Sequence, residues 1–299
     1  MPIADFEGCK AYEPGKADLY GYKPELAAGI VFSVLFFISM VAHFVQGWMK
    51  RTWWTAVFAV GALTELIGWA GRTWSSQCPS NLNAFLMQIC TLIIGPTFFT
   101  AGIYVILGRL INLTGGKGKT SIISSRMYLF IFCTCDVISL VIQAIGGAQA
   151  SAAVSATPPR RSKTGTNIMV GGIVFQMASI TVFAFFFVDF LRRAVKLGTG
   201  ILTRDIKTLI WATTFSGALI YVRSIYRTVE LAQGWTGYLI THEGYFLGFD
   251  GALMILAVAV FNFAHPGWLL PRSLAMQEKS SASSTRESEA DGFYETSRA

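Results

Sequence analysis

Residues 24–48 read PELAAGIVFSVLFFISMVAHFVQGW, and residues 26–48 include no Asp, Glu, Lys or Arg. A bilayer core about 30 Å thick is crossed by about 20 mostly apolar residues in a helix, so this run is long enough to span one. Comparable runs follow at about 53–74, 83–107, 126–147, 167–191, 209–231 and 243–264. Backbone that is not hydrogen-bonded to itself cannot face lipid, which makes α-helices the expectation for all seven. The alternating ten-residue segments of a β-barrel are absent. Within the third run, Gly95-Pro96 predicts a kink, because proline removes a backbone donor. The expected fold is all-α: a polytopic membrane protein with a seven-transmembrane helix bundle at 24–270, an N-tail at 1–23 and a C-tail at 271–299.

Composition points the same way. Of 299 residues 53% are hydrophobic and only 14% charged, with 23 Phe, which leaves too little polar surface to coat two soluble domains. A disordered chain, a secreted disulfide scaffold and a nucleic-acid-binding domain all fit poorly. The net charge of +7 is explained by its placement. Of 24 Lys and Arg, fifteen follow helices one, three and five or lie in the C-tail, and six lie on the other side. The remaining three, Arg72, Arg223 and Arg227, fall inside spans. Positive residues favour the cytoplasm, so the N-terminus is expected outside and the C-terminus inside. Residues 1–23 have no apolar h-region, and the first span is expected to serve as an uncleaved anchor. The Ser- and Glu-rich tail reads as a disordered cytoplasmic segment open to phosphorylation. The sequon Asn112-Leu113-Thr114 falls in the cytosol on this topology and is expected to be unused. Cys90, Cys133 and Cys135 lie in spans as small packing residues, whereas Cys9 and Cys78 both lie outside, where a disulfide is possible.

Ionisable groups inside a membrane cost roughly 2.5–3.5 kcal/mol each on insertion scales and need a partner or a wet cavity. The spans contain the acids Glu65, Asp136, Glu230, Glu243 and Asp250 against the bases Arg72, Arg223 and Arg227. Asp189 is expected to snorkel and pair with Arg193 at i+4. Counting about 1.5 Å per residue, Glu65, Asp136, Arg223 and Asp250 fall roughly 10–16 Å from the outer ends of their helices. Gln176 reaches the same level and Gln143 lies nearer the exit. The pairs Glu65/Arg72, Asp136/Gln143, Arg223/Glu230 and Glu243/Asp250 are each seven apart, about two turns, which suggests common faces. These ten residues are the candidate substrate-binding or coupling set: a polar pocket open toward the outer half, with an excess of acid that favours a cation such as an amine on a greasy tail. The bland alternative is that the charges only pair with one another and lock the bundle.

At these residues the chain resembles the fungal lipid-translocating exporter family, which includes 7-aminocholesterol-resistance proteins and sphingoid long-chain base exporters. The resemblance rests on Tyr22-Lys23-Pro24, Arg51-Thr52-Trp53-Trp54, Glu65-Leu66-Ile67-Gly68-Trp69-Ala70-Gly71-Arg72, Ala101-Gly102-Ile103-Tyr104 and Leu107-Gly108-Arg109-Leu110-Ile111. It continues through Asp136-Val137-Ile138-Ser139, Gln143, Gly146-Gly147, Gly171-Gly172, Gln176, Arg223-Ser224-Ile225-Tyr226-Arg227, Glu230 and Gly234. It closes with His242-Glu243, Phe249-Asp250 and His265-Pro266-Gly267. Cys135, Trp69, Gly244 and Gly95 depart from the pattern, which usually has Gly, Tyr, Trp and Ala there. The resemblance implies a seven-helix plasma-membrane protein linked to movement or efflux of amphipathic lipids and to tolerance of toxic hydrophobic compounds; separately, on its own residues, the chain is expected not to be an enzyme.

Other readings compete less well. The loop Leu113-Thr114-Gly115-Gly116-Lys117-Gly118-Lys119-Thr120 imitates a phosphate-binding loop but lacks its leading glycine and a preceding strand. An intramembrane zinc hydrolase needs about three converging ligands. Of the three histidines His43, His242 and His265, the last two are about 34 Å apart along a helix, so neither a metal nor a cofactor is expected. A seven-helix receptor is compatible with the topology, but Gly108-Arg109-Leu110 replaces the acidic-Arg-aromatic triplet of G-protein-coupled receptors. Asp136→Asn or Asp250→Asn is expected to abolish transport or tolerance while leaving protein level and localisation intact.

Overall fold

The computed structural model describes Cys9 and residues 19–114, 120–154, 156, 162–196, 203–235 and 237–270. The C-tail from 271, most of the N-tail and residues 115–119 of the glycine-lysine loop lie outside the described residues. Among those described, the structure is helical and has no strand. The helices are α1 (Leu26–Lys50), α2 (Ala56–Gln77) after a 3-10 turn at Trp53–Thr55, α3 (Leu82–Leu113), α4 (Ser125–Val154), α5 (Lys163–Lys196) and α6 (Arg204–Ala232). The last span, Glu243–Leu269, is built in pieces: α7 (Glu243–Phe246), a π turn (Leu247–Ala252), α8 (Leu253–Phe263) and α9 (Pro266–Leu269).

Six of these segments are long and apolar enough to cross a membrane. The exception is α6: its 29 residues exceed the length a bilayer needs, but Arg223, Arg227 and Glu230 reduce its apolar content. The helices outrun the apolar stretches that announce them, because backbone hydrogen bonding continues until a cap or turn stops it. At the start of α3, Asn81 Oδ1 accepts from the N–H groups of Asn83 and Ala84 at 3.0 and 3.1 Å. At the end of α1, Arg51 takes a left-handed conformation (φ 54°), and the N–H groups of Arg51 and Thr52 return to the carbonyls of Trp48 and Gly47. That reversal sends the chain straight into α2.

Helix α2 packs between α1 and α3, α4 pairs with α5, and α6 lies against α5 and α8. Small residues set the α4–α5 distance. A Cβ on Gly146 would run into the backbone of Gly165 and Met169. Phe58, Phe99, Tyr104, Phe132, Phe183 and Phe261 are buried in the shared core, while Val31, Phe44, Phe130 and Phe185 are exposed on the outside. An exterior this apolar suits lipid rather than water.

The kink residue has a defined consequence. Pro96 lies inside α3, and without an N–H it leaves the carbonyl of Leu92, four residues earlier, with no helical donor. The guanidinium of Arg223 on α6 donates to that carbonyl. A sequence feature of one helix is thus completed by a charged side chain from another. Pro96→Ala is expected to stabilise the protein by well under the roughly 3 kcal/mol usually separating these residues in a helix interior, since the missing bond has already been replaced. Thermal unfolding in detergent measures this, and a gain of full size would show that Arg223 contributes nothing at Leu92.

Candidate functional site

The structure sorts the ten candidate side chains into three groups. At the outer end, Arg72 of α2 pairs with Glu243 of α7 at 2.6 Å and donates to the Tyr22 hydroxyl at 2.9 Å. Glu243 Oε1 also accepts from the Glu25 N–H at 2.9 Å, and the Arg72 guanidinium lies 4.4 Å from the Phe246 ring centroid. Burial raises the pKa of the Tyr22 phenol above its ordinary value, and the Arg72 charge opposes the rise.

The second group centres on Asp250, which the π turn carries into the bundle with no exposed surface. Arg223 reaches it at 2.8 Å and Arg227 at 3.4 Å. Arg227 also pairs with Glu230 at 2.7 Å, and the Tyr226 hydroxyl donates to Glu230 at 2.9 Å. Three arginines thereby engage three of the five acids. The pairing that would merely lock the bundle therefore accounts for Arg72, Arg223, Arg227, Glu230, Glu243 and Asp250.

Glu65, Asp136, Gln143 and Gln176 form the remainder, and neither of the two acids has a cationic partner within 4.0 Å among the described residues. Glu65 is fully buried against α3, where a Cβ on Gly95 would meet its carboxyl oxygen at 2.7 Å. Asp136 is 5% exposed and accepts a hydrogen bond from Thr100 Oγ1 at 3.1 Å. The two charges left over in the sequence count thus belong to these two residues.

Only part of the set shares a void. Asp136, Gln143, Gln176, Arg223 and Arg227 line a polar chamber of about 30 Å³ beside Pro96 and Thr100. This is room for about one or two water molecules. Gln143 Nε2 donates to Gln176 Oε1 at 3.1 Å across one wall. Glu65, Arg72, Glu230, Glu243 and Asp250 do not line it. The expectation that Glu243 and Asp250 share a face gives way: they pair with α2 and α6 respectively, because the π turn between them shifts the helical phase.

The expected pocket also differs in character. The larger void, about 600 Å³, is apolar and lies between α3 and α4, with Leu86, Ile89, Cys90, Leu140 and Ala144 in its walls. Its size is that of a ligand site. Val137 and Val141 line it and are exposed, so the cleft is open along α4 rather than sealed in the core. Ile93 and Gln143 border both voids, which makes the chamber a polar annex of the apolar cleft. Sequence reading missed the cleft, since an apolar wall has the same composition as an apolar core, and it missed Thr100. The orphan carbonyl at Leu92 was readable from Pro96. Cys9 is joined to Cys78, at the end of α2, by a disulfide, with Cα atoms 4.6 Å apart.

With this geometry established, similarity to known proteins can be placed on it. The model of the RTA1 like protein family matches residues 58–273, a stretch that includes all ten candidate residues. The sphingoid long-chain base transporter RSB1 of Saccharomyces cerevisiae is 32% identical over 283 residues, covering 83% of this chain and 73% of the yeast protein. Protein RTA1 of the same yeast is 34% identical over 276 residues, covering 83% and 85% of the two chains. Its protoporphyrin uptake protein 1 is 30% identical over 286 residues, covering 82% and 90%. No solved structure matches. A family match over most of the chain, together with relatives 30–34% identical over 82–83% of it, makes this protein a member of the RTA1-like family.

Proposed function

We propose that the protein is a plasma-membrane transporter of amphipathic lipids or hydrophobic toxicants. The ligand places its apolar body in the cleft between α3 and α4 and its polar head in the Asp136 chamber. The observation that carries this reading is the junction at Ile93 and Gln143, where an apolar cavity of ligand size meets a polar one with an unpaired carboxyl. Two relatives support it, being named for transport of a sphingoid long-chain base and for protoporphyrin uptake. Both compounds combine a large apolar surface with ionisable groups. Asp136 suits a cationic head, because Arg223 and Arg227 are already engaged by Asp250 and Glu230.

In this reading α6 is the seventh span. Its charged residues between 209 and 231 turn toward the interior, where Arg223, Arg227 and Glu230 are at most 6% exposed. The 24–270 bundle has its N-terminus outside and its C-terminus in the cytoplasm. Asymmetric Lys and Arg loops support that orientation, and so does the Cys9–Cys78 disulfide on the face assigned to the oxidising exterior. Transport from an open cleft requires no covalent chemistry, which favours a non-enzymatic role.

Cys90 provides the test, being an exposed free thiol in the cleft wall. In a Cys133→Ala/Cys135→Ala background, an alkyl maleimide is expected to label Cys90. A sphingoid base at ten times its Kd is expected to slow that labelling about tenfold by simple occupancy. Labelling unaffected by any amphiphile that the protein transports in liposomes would remove the cleft from the mechanism.

A further inference from the structure

A second set of polar side chains, buried or partly buried, gathers at the Lys50 end of the bundle, between α1 and the last span. His43 is 0% and His265 1% exposed, and their ring centroids are 6.1 Å apart. Asn262 Nδ2 donates to Ser39 Oγ at 2.9 Å, and Gln46 Nε2 donates to the Asn262 carbonyl at 2.8 Å. Four buried polar atoms here have no partner: His43 Nδ1, Gln46 Oε1, Asn262 Oδ1 and His265 Nε2. Orphaned polar atoms in a protein interior are rare and commonly mark bound water or an ion.

The hydrogen bonds that do exist fix what each orphan offers. His43 Nε2 faces the Val258 carbonyl at 3.3 Å, and a carbonyl only accepts, so Nε2 carries the proton and Nδ1 presents a lone pair. His265 Nδ1 accepts from the Gly267 N–H at 3.1 Å, so its Nε2 carries the proton. Three acceptors and one donor therefore lie between the same two elements. An acceptor-rich set of atoms of this kind disfavours anions and suits an O–H donor.

We propose that His43, Gln46, Asn262 and His265 form a water-filled proton-binding site, with the Nδ1 lone pair of His43 as the proton acceptor. A water accepts from His265 Nε2–H and donates to two of the three acceptors, within its ordinary bonding capacity. A hydronium arriving from the Lys50 end, roughly 10 Å along α1, gives its proton to Nδ1. Water and an imidazolium are left, and no other bond changes. The groups facing the pair are few. Each ring faces the other, and Lys50, stacked over the Trp268 ring at 3.4 Å, is the charge that bears on His265. From α2 the aromatic Phe58 stacks on His43, and from α6 Ser216 reaches the Ala257 carbonyl; neither titrates in this range. No carboxylate lies within ion-pair distance of either ring among the described residues. The site is separate from the Asp136 chamber and stands or falls independently of what the bundle transports.

The chain has only three histidines, and His242 is exposed. The His242→Gln protein, labelled with 15N-histidine in nanodiscs, therefore reports the buried pair alone without disturbing it. Both rings are expected to show the lone pair on Nδ1, magnetisation transfer from water, and a reversible shift of the His43 resonances on acidification. Rings without water contact, or resonances that stay put across the pH range in which the protein is folded, would overturn the site. So would broadening reversed by a chelator, which would assign the pocket to a metal ion. Comparison with the His43→Gln and His265→Gln proteins assigns each signal to its ring.

Discussion

Asp250→Ala is expected to cost the folded protein about 3–5 kcal/mol, the range for breaking a buried ion pair by removing one partner. Its carboxylate is fully buried and faces two guanidiniums, Arg223 at 2.8 Å and Arg227 at 3.4 Å. Arg227 keeps Glu230 when Asp250 is removed, but Arg223 keeps only the Leu92 carbonyl and the Asp136 chamber. Thermal unfolding in detergent and the steady-state protein level both read the loss. A Tm equal to that of the parent protein would show that Asp250 carries no structural charge. The double variant Asp250→Leu/Arg223→Met removes both charges and is expected to recover much of the stability, because paired buried ions gain little over apolar residues of similar volume. The expectation from sequence, that Asp250→Asn leaves protein level intact, is thereby revised: no feature of the sequence distinguished a paired acid from an unpaired one.

Asp136→Asn is expected to do the opposite, sparing the fold and weakening the ligand. No ion pair is lost, and the asparagine carbonyl still accepts from Thr100. A carboxylate about 5 Å from an ammonium at an effective dielectric constant near 20 contributes about 3 kcal/mol. Losing it corresponds to about a 100-fold loss of affinity for a cationic amphiphile. A neutral amphiphile of the same chain length is expected to bind the variant almost as well as the parent. Protection of Cys90, measured for both ligands, gives the comparison. An equal loss for the two would mean that Asp136 shapes the chamber without recognising charge.

The bundle was legible in the sequence because spanning a bilayer imposes length and apolarity on each helix independently. The run at 209–231 also forms a helix, α6, but its arginines make it the least apolar of the long helices, and it is not among the six apolar enough to span a membrane. Of the four charged residues that residue counting places at one level, Asp136 and Arg223 line one chamber and Glu65 and Asp250 do not. Azimuth was not legible. Seven-residue spacing puts Glu243 and Asp250 on one face of a regular helix, and a π turn at Leu247–Ala252 divides them between two partners. Glu65, at a matching depth, packs against Gly95 instead of reaching the void. The Lys50-end cluster also escaped, since Ser39, His43 and Gln46 scattered through an apolar run look like isolated tolerated polar residues until Asn262 and His265 are brought opposite them.

The widened turn in the last span has a bearing on chain length. A π turn holds one more residue than the α-helical turn it replaces, and a single residue corresponds to about 100° of rotation. Excising one amino acid between 247 and 252 would let the segment relax to a regular spiral and swing Glu243 a quarter-circle or more from Arg72, with α8 still seated among its neighbours. Indels of a single codon in this short window are therefore as disruptive as loss of a charge, whereas the linkers outside the helices tolerate them by taking up slack.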